Sequence, residues 1–346
     1  MKNFKFSIIA FAALVIFAGC SKPEGQTRKP SKNIDSSTWI ENLIDGKAAA
    51  EKENKKILIF FSSDDQDAMS LSFKENCFNK PEFIEKATKD FVLVNLDFSI
   101  SKFEEATADP LASEEEKELA GQRMAILEEN TRDATLYDIQ GTPCFYVLTK
   151  EGYVITELIF ENENISVSDF DKVIEENSEK IAVYENILAS TKTGKTEDRL
   201  NAINRLFEIT DPQQRYLLAD KAEEYIKLDK KNTTGANGAY VVAIANAKAI
   251  QAYLDQDVLK GSQAFANAAE SKYLSASEKQ QCYYTAGYLL ASSGSTDNNL
   301  INEYLTKAYD ADPENPDAES IKTMIRMMDE DYQKSLLMGV DPTENK

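Results

Sequence analysis

Continuous apolar runs and helix-period stripes divide the chain into two differently built parts. Ile57-Leu58-Ile59-Phe60-Phe61 and Phe91-Val92-Leu93-Val94-Asn95-Leu96-Asp97 suit strands buried on both faces. Asp67 to Phe78 and Pro81 to Lys89, which lie between them, read as helix, so the two strands form a right-handed crossover unit with a parallel pair. Ahead of them, Trp39 to Glu53 reads as an amphipathic helix with Trp39, Leu43 and Ala50 toward a core. Residues 100 to 133 are charged and helical, with Leu119, Ile126 and Leu127 at helical spacing. Phe145 to Leu148, the turn Thr149-Lys150-Glu151-Gly152 and Tyr153 to Phe160 then predict a β-hairpin, covered by a helix from Val167.

Everything after the hairpin has helical periodicity. Leu200, Ile203 and Leu206 line one helix; Leu217, Leu218, Ala222, Tyr225 and Ile226 line the next. Tyr240 to Tyr253 is alanine-rich, and Gln280 to Ala291, Ile301 to Asp310 and Ala318 to Met328 follow, separated by Gly-Ser, Asp-Pro and Asn-Pro turns. These are helical hairpins. Tyr283 to Pro313 resembles a tetratricopeptide repeat, with Tyr283, Gly287 and Leu290 in its first helix and Leu305, Ala308 and Pro313 in its second. The loop from Ser292 to Asn299 is longer than the repeat uses, which leaves an irregular helical bundle as the alternative. In either arrangement stacked helix pairs offer a binding surface rather than chemistry.

The order of strands and helices, followed by Gly141-Thr142-Pro143, a hairpin and a closing helix, resembles the thioredoxin fold over residues 38 to 165. Residues 100 to 133 then stand as a helical insertion. The resemblance implies a cis bond at Thr142-Pro143 and a backbone beside it that docks extended peptides. The departure is as informative. Where thioredoxins carry Trp-Cys-x-x-Cys, this chain has Ser62-Ser63-Asp64-Asp65-Gln66-Asp67-Ala68-Met69, with no thiol. Thiol exchange needs an attacking and a resolving cysteine, and here Asp64, Asp65, Asp67 and Ala68 occupy the degenerate motif. The three carboxylates suggest either a small cation site or helix N-capping. The cluster lacks the Gly and distal Glu of a calcium loop, which favours capping. Cys144 is either a lone reactive thiol or a small apolar residue turned into the sheet by strand alternation, and alternation favours the second. Cys77, about nine residues into its helix, lies too far from Cys144 for a bridge.

At the N-terminus, Lys2 and Lys5 precede an apolar run from Phe6 to Gly19, too short to cross a membrane, which takes roughly 20 residues. The run ends in Phe17-Ala18-Gly19-Cys20, which resembles the lipobox of bacterial lipoproteins, with Phe17 in place of the usual Leu. The resemblance implies a signal peptide over 1–19 and a lipid on Cys20, which would hold the protein to a membrane of the cell envelope. Residues 20–37, with Pro23, Gly25, Pro30 and several basic residues, read as a flexible tether suited to an anionic lipid surface. The remainder divides at 165/166 into the α/β domain and the helical domain.

Composition narrows the chemistry. With 59 acidic and 39 basic residues the formal charge is −20, which disfavours nucleic acid. The chain contains no histidine, which removes Ser-His-Asp and Cys-His catalysis and imidazole metal sites. No phosphate-binding glycine motif is present. No catalytic residue, metal or cofactor is assigned. The expectation is a membrane-anchored, redox-inactive thioredoxin-like lipoprotein that binds or scaffolds a protein or peptide partner. The alternative is an atypical thiol–disulfide oxidoreductase using Cys144 or a partner's cysteine.

Overall fold

The computed structural model describes residues 28–328, so the signal segment and Cys20 lie outside the described residues. Helix α1 (Leu43–Glu53) is capped by the Asn42 side chain, which accepts from the Asp45 N–H. Strand β1 (Lys56–Ser62) leads into α2 (Ala68–Phe73), which widens into a π-helical turn (Lys74–Phe78). After α3 (Pro81–Ala87) comes strand β2 (Phe91–Asp97). Helices α4 (Ile100–Glu105) and α5 (Glu114–Leu136) precede strands β3 (Cys144–Leu148) and β4 (Val154–Glu157). The sheet order is β2-β1-β3-β4, with β1 and β2 parallel and the other pairs antiparallel.

Strand alternation sorts the core into two layers. Ile57, Ile59, Phe61, Val92, Val94, Tyr146 and Leu148 pack with Leu43 and Ala50 of α1 on one face. Phe60 and Phe145 stack on the other, ring centroids 4.4 Å apart, against Phe73, Phe78 and Phe160. Helix α6 (Val167–Lys192) covers this aromatic layer with Phe170, edge-on to Phe83 at 4.9 Å. On the first face α1 approaches β2 so closely that a Cβ on Gly46 would stand 2.4 Å from Val94 Cγ2.

Three expectations change. Trp39 is not helical: Ile40 instead bridges Val94 at the outer edge of β2, and Asn42 caps the helix behind it. In that extended stretch Ile40 joins the α1 side, while Trp39 turns to the opposite face and lies against Phe60, Phe78 and Phe83. The described part of the supposed tether is docked. Arg28 meets Glu129 at 3.1 Å and Asp45 at 3.4 Å, and Ser31 donates twice to Asp45, so Arg28 has protein carboxylates as partners, while Lys29 and Lys32 stay exposed. Finally, the compact units divide between Leu217 and Leu218 rather than at 165/166. Helix α6, paired with α7 (Thr196–Ile209), is built into the aromatic core of the first unit.

The second unit comprises α8 (Ala219–Leu228), α9 (Asn237–Leu254), α10 (Val258–Ala269), α11 (Ala276–Ser292), α12 (Asn298–Ala311) and α13 (Ala318–Met328), each packed on the next from α8 to α13. Small residues set the spacing: Ala286 and Ala308 are fully buried, and a Cβ on Gly287 would touch Leu305 at 3.3 Å. Among the described residues no helix is long and apolar enough to cross a membrane.

Candidate functional site

The residues singled out in the sequence gather at one end of the sheet. Cys144 pairs with Phe61, so Pro143 enters β3 beside the point where the acidic loop leaves β1. The Thr142-Pro143 bond is cis, and both residues are half-buried. Buried Tyr137 anchors the approach to this loop, its hydroxyl donating to the Gly152 carbonyl at 2.7 Å.

The three aspartates do not converge. Asp67 caps α2, accepting from the Met69 and Ser70 N–H groups and from Ser70 Oγ. Asp65 turns to the start of α4 and accepts from the Ser101 and Ile100 N–H groups, which hold its carboxyl below the usual range. Asp64 pairs with Lys74. Each carboxylate is thus assigned to a structural partner, and among the described residues no group of three or more acidic or cysteine side chains is arranged to hold a metal ion. Ala68 is the exposed first residue of α2.

The described cysteines are thiols. Cys77, Cys144 and Cys282 are free. Burial pushes Cys77 and Cys282 up to about 12 and Cys144 up to about 11. Cys144 is half-buried against the α1-side core, with its sulfur 3.9 Å from Glu157 Oε1. A reactive cysteine needs its pKa moved the other way.

The sequence reading overlooked Lys74. The π-helical turn carries it under the C-terminal ends of β1 and β2. Its Nζ lies 2.8 Å from Asp64 and 2.9 Å from Asp97, above the Phe60 ring. Asn95 completes the cluster with its amide oxygen turned to Nζ at 3.0 Å and its nitrogen to the Phe60 carbonyl at 3.2 Å and to Ser62 Oγ. The cluster forms the floor of a cavity of about 350 Å³. Its lining includes Trp39 and Phe60 together with Ile126, Leu127 and Asn130 of the insertion. Lys102, Glu105, Arg123 and Glu41 also line it. In sequence Lys74 looks like one more helical surface lysine. Only the meeting of four separate segments reveals its role.

With this geometry in view, comparison with known proteins gives two family matches. Residues 45–161 match the family described as thioredoxin-like domain, and residues 236–334 match one described as uncharacterised protein C-terminal domain. An uncharacterised protein of Treponema pallidum (strain Nichols) is 27% identical over 106 residues, 31% of this chain and 35% of that protein. The chain therefore spans about a third of the length of that curated relative. A solved structure of a DsbH oxidoreductase is similar at 18% identity and a TM-score of 0.29, over 45% of this chain and 93% of that one. The chain thus consists of a thioredoxin-like α/β domain followed by an all-helical region.

Proposed function

We propose that this protein is a redox-inactive thioredoxin-like lipoprotein of the cell envelope, held to a membrane through lipid on Cys20, that binds a protein or peptide partner. One observation carries the redox-inactive part: the start of α2 presents Asp67 and Ala68 where an exchange enzyme needs a thiol. The burial of Cys144, which pushes its thiol up to about 11, argues against the oxidoreductase alternative. The half-buried Thr142-Pro143 loop supports peptide docking by backbone pairing, a mode that needs no side-chain chemistry. The helical region supplies a second binding surface.

An insulin-reduction assay with dithiothreitol tests the redox part. Turbidity should develop no faster than with the reductant alone, and a rate near that of an ordinary thioredoxin would overturn the reading. The anchor is tested separately. Cys20→Ser should leave an uncleaved precursor that no longer partitions as a lipid-modified protein, and unchanged processing would remove the lipid.

A further inference from the structure

We propose that the cavity between the β1–β2 ends and helix α5 binds a primary ammonium group carried on a short apolar stem. This site is distinct from the Thr142-Pro143 loop and does not depend on the docking role given to that loop.

The hydrogen-bond ledger of the cavity selects the ligand. Asn130 is 2% exposed. Its Nδ2 donates to the Glu41 carbonyl at 3.0 Å, which fixes the amide orientation, since only the nitrogen can donate there. Its Oδ1 is buried without a partner. Asp64 is different: both of its carboxylate oxygens lie 2.8 Å from Lys74 Nζ, so it already has its cation. Buried polar atoms in native proteins are normally satisfied, and the unsatisfied atom here, Asn130 Oδ1, is an acceptor. A ligand that satisfies it must therefore bring a donor.

Two of the three cations of the wall are already matched by carboxylates, and the third, Arg123, donates to the Glu105 carbonyl at 3.2 Å. The three N–H bonds of Lys74 have Asp64, Asp97 and Asn95 as acceptors, and Lys102 is paired with Glu41 at 3.2 Å. Carboxylates outnumber cations by one along the lining, within a chain of formal charge −20. Trp39 donates its indole N–H to the Phe78 carbonyl, so its ring offers only a π face and an apolar edge. With Ile126 and Leu127 also in the lining, the wall suits a hydrocarbon stem. The volume, about 350 Å³, is at the small end of ligand pockets. A free alkylamine and a lysyl side chain share this chemistry.

Trp39 is the only tryptophan in the chain, so its fluorescence reports this cavity directly. The full chain is titrated with n-pentylamine, tetramethylammonium and pentanoate at constant ionic strength, and with Nα-acetyl-lysine-N-methylamide. Pentylamine should give a saturable change. Tetramethylammonium, a cation without donors, should bind about tenfold or more weakly, and pentanoate should give no response. Asn130→Leu should weaken pentylamine about tenfold, whereas Asn130→Asp should tighten it. Because either variant can perturb α5, circular dichroism checks its fold, and amide shifts of Asn130 and Asn95 in the unmodified chain give a second readout. Tighter binding of the lysine derivative than of pentylamine identifies a peptide as the source; the reverse identifies a free amine. No saturable response up to millimolar amine, an equal response to tetramethylammonium or pentanoate, or undiminished affinity in folded Asn130→Leu would overturn the proposal.

Discussion

Lys47 on α1 and Asp133 on α5 form a pair that helical sequence patterns conceal. Burial lowers the Lys47 pKa and raises that of Asp133 to about 6, while the attraction between the two opposes both shifts. The sign follows from the raised carboxyl. In the folded chain Asp133 takes up a proton more readily than in the unfolded chain, so its contribution to stability is full below the ordinary Asp range. That contribution is lost as pH rises through about 6. The unfolding free energy of the unmodified chain, relative to Asp133→Asn, should therefore rise as pH falls from 7 to about 4, by an amount of the order of 3 kcal/mol. Urea unfolding at several pH values measures this, and a difference independent of pH would contradict it. The same reasoning explains which residues were legible beforehand. Asp67 was, because capping is a local event within three residues. Lys74, Asp97 and Asn130 were not, because their roles depend on segments far apart in the chain. A cation site at Asp64, Asp65 and Asp67 was a fair sequence alternative, but the three side chains serve three different elements.

At the scale of elements, α1 and β2 meet at a residue without a side chain. The Cβ added by Gly46→Ala would collide with Val94, a fully buried and rotamerically stiff side chain. That substitution should cost about 1–3 kcal/mol, the usual range for overpacking. Combined with Val94→Ala, which makes room, it should cost less than the sum of the two single changes. Thermal or urea unfolding of the four chains in the cycle tests this, and strict additivity would show that the two residues do not compete for space. The buried strands were legible almost to the residue, because a run such as Ile57 to Phe61 has no polar face to mislead. The predicted start of α1 erred because Trp39 and Ile40 are apolar at a helix-compatible spacing, and only Asn42 marks the true boundary. Helix α10 escaped notice because Gly261, Ser262 and several alanines dilute its apolar stripe, although the same small residues let it pack closely on its neighbours. The π-helical turn after α2 has no sequence signature of its own.

At the scale of the whole molecule, the units do not end where the hairpin does. Phe170 belongs to the same aromatic layer as Phe78, Phe83 and Phe160. A chain ending after residue 165 should therefore leave that layer open. It should bind a hydrophobic dye and unfold over a broad temperature range, whereas one ending after residue 217 should unfold cooperatively. Equal cooperativity in both would return the boundary to 165/166. The thioredoxin-like part and the helical part were legible as classes, but the allocation of α6 was not, since a helix that follows a sheet gives no local sign of the core it joins. The short bridge at Ile40 has a consequence for the company the protein keeps. Its N–H donates to the Leu93 carbonyl, and its carbonyl accepts from the Asn95 N–H, at the outer edge of β2. An uncovered edge strand invites a second chain to extend the sheet. The segment around Ile40 thus acts as a guard against strand addition between molecules, and peeling it away would turn β2 into a template for aggregation.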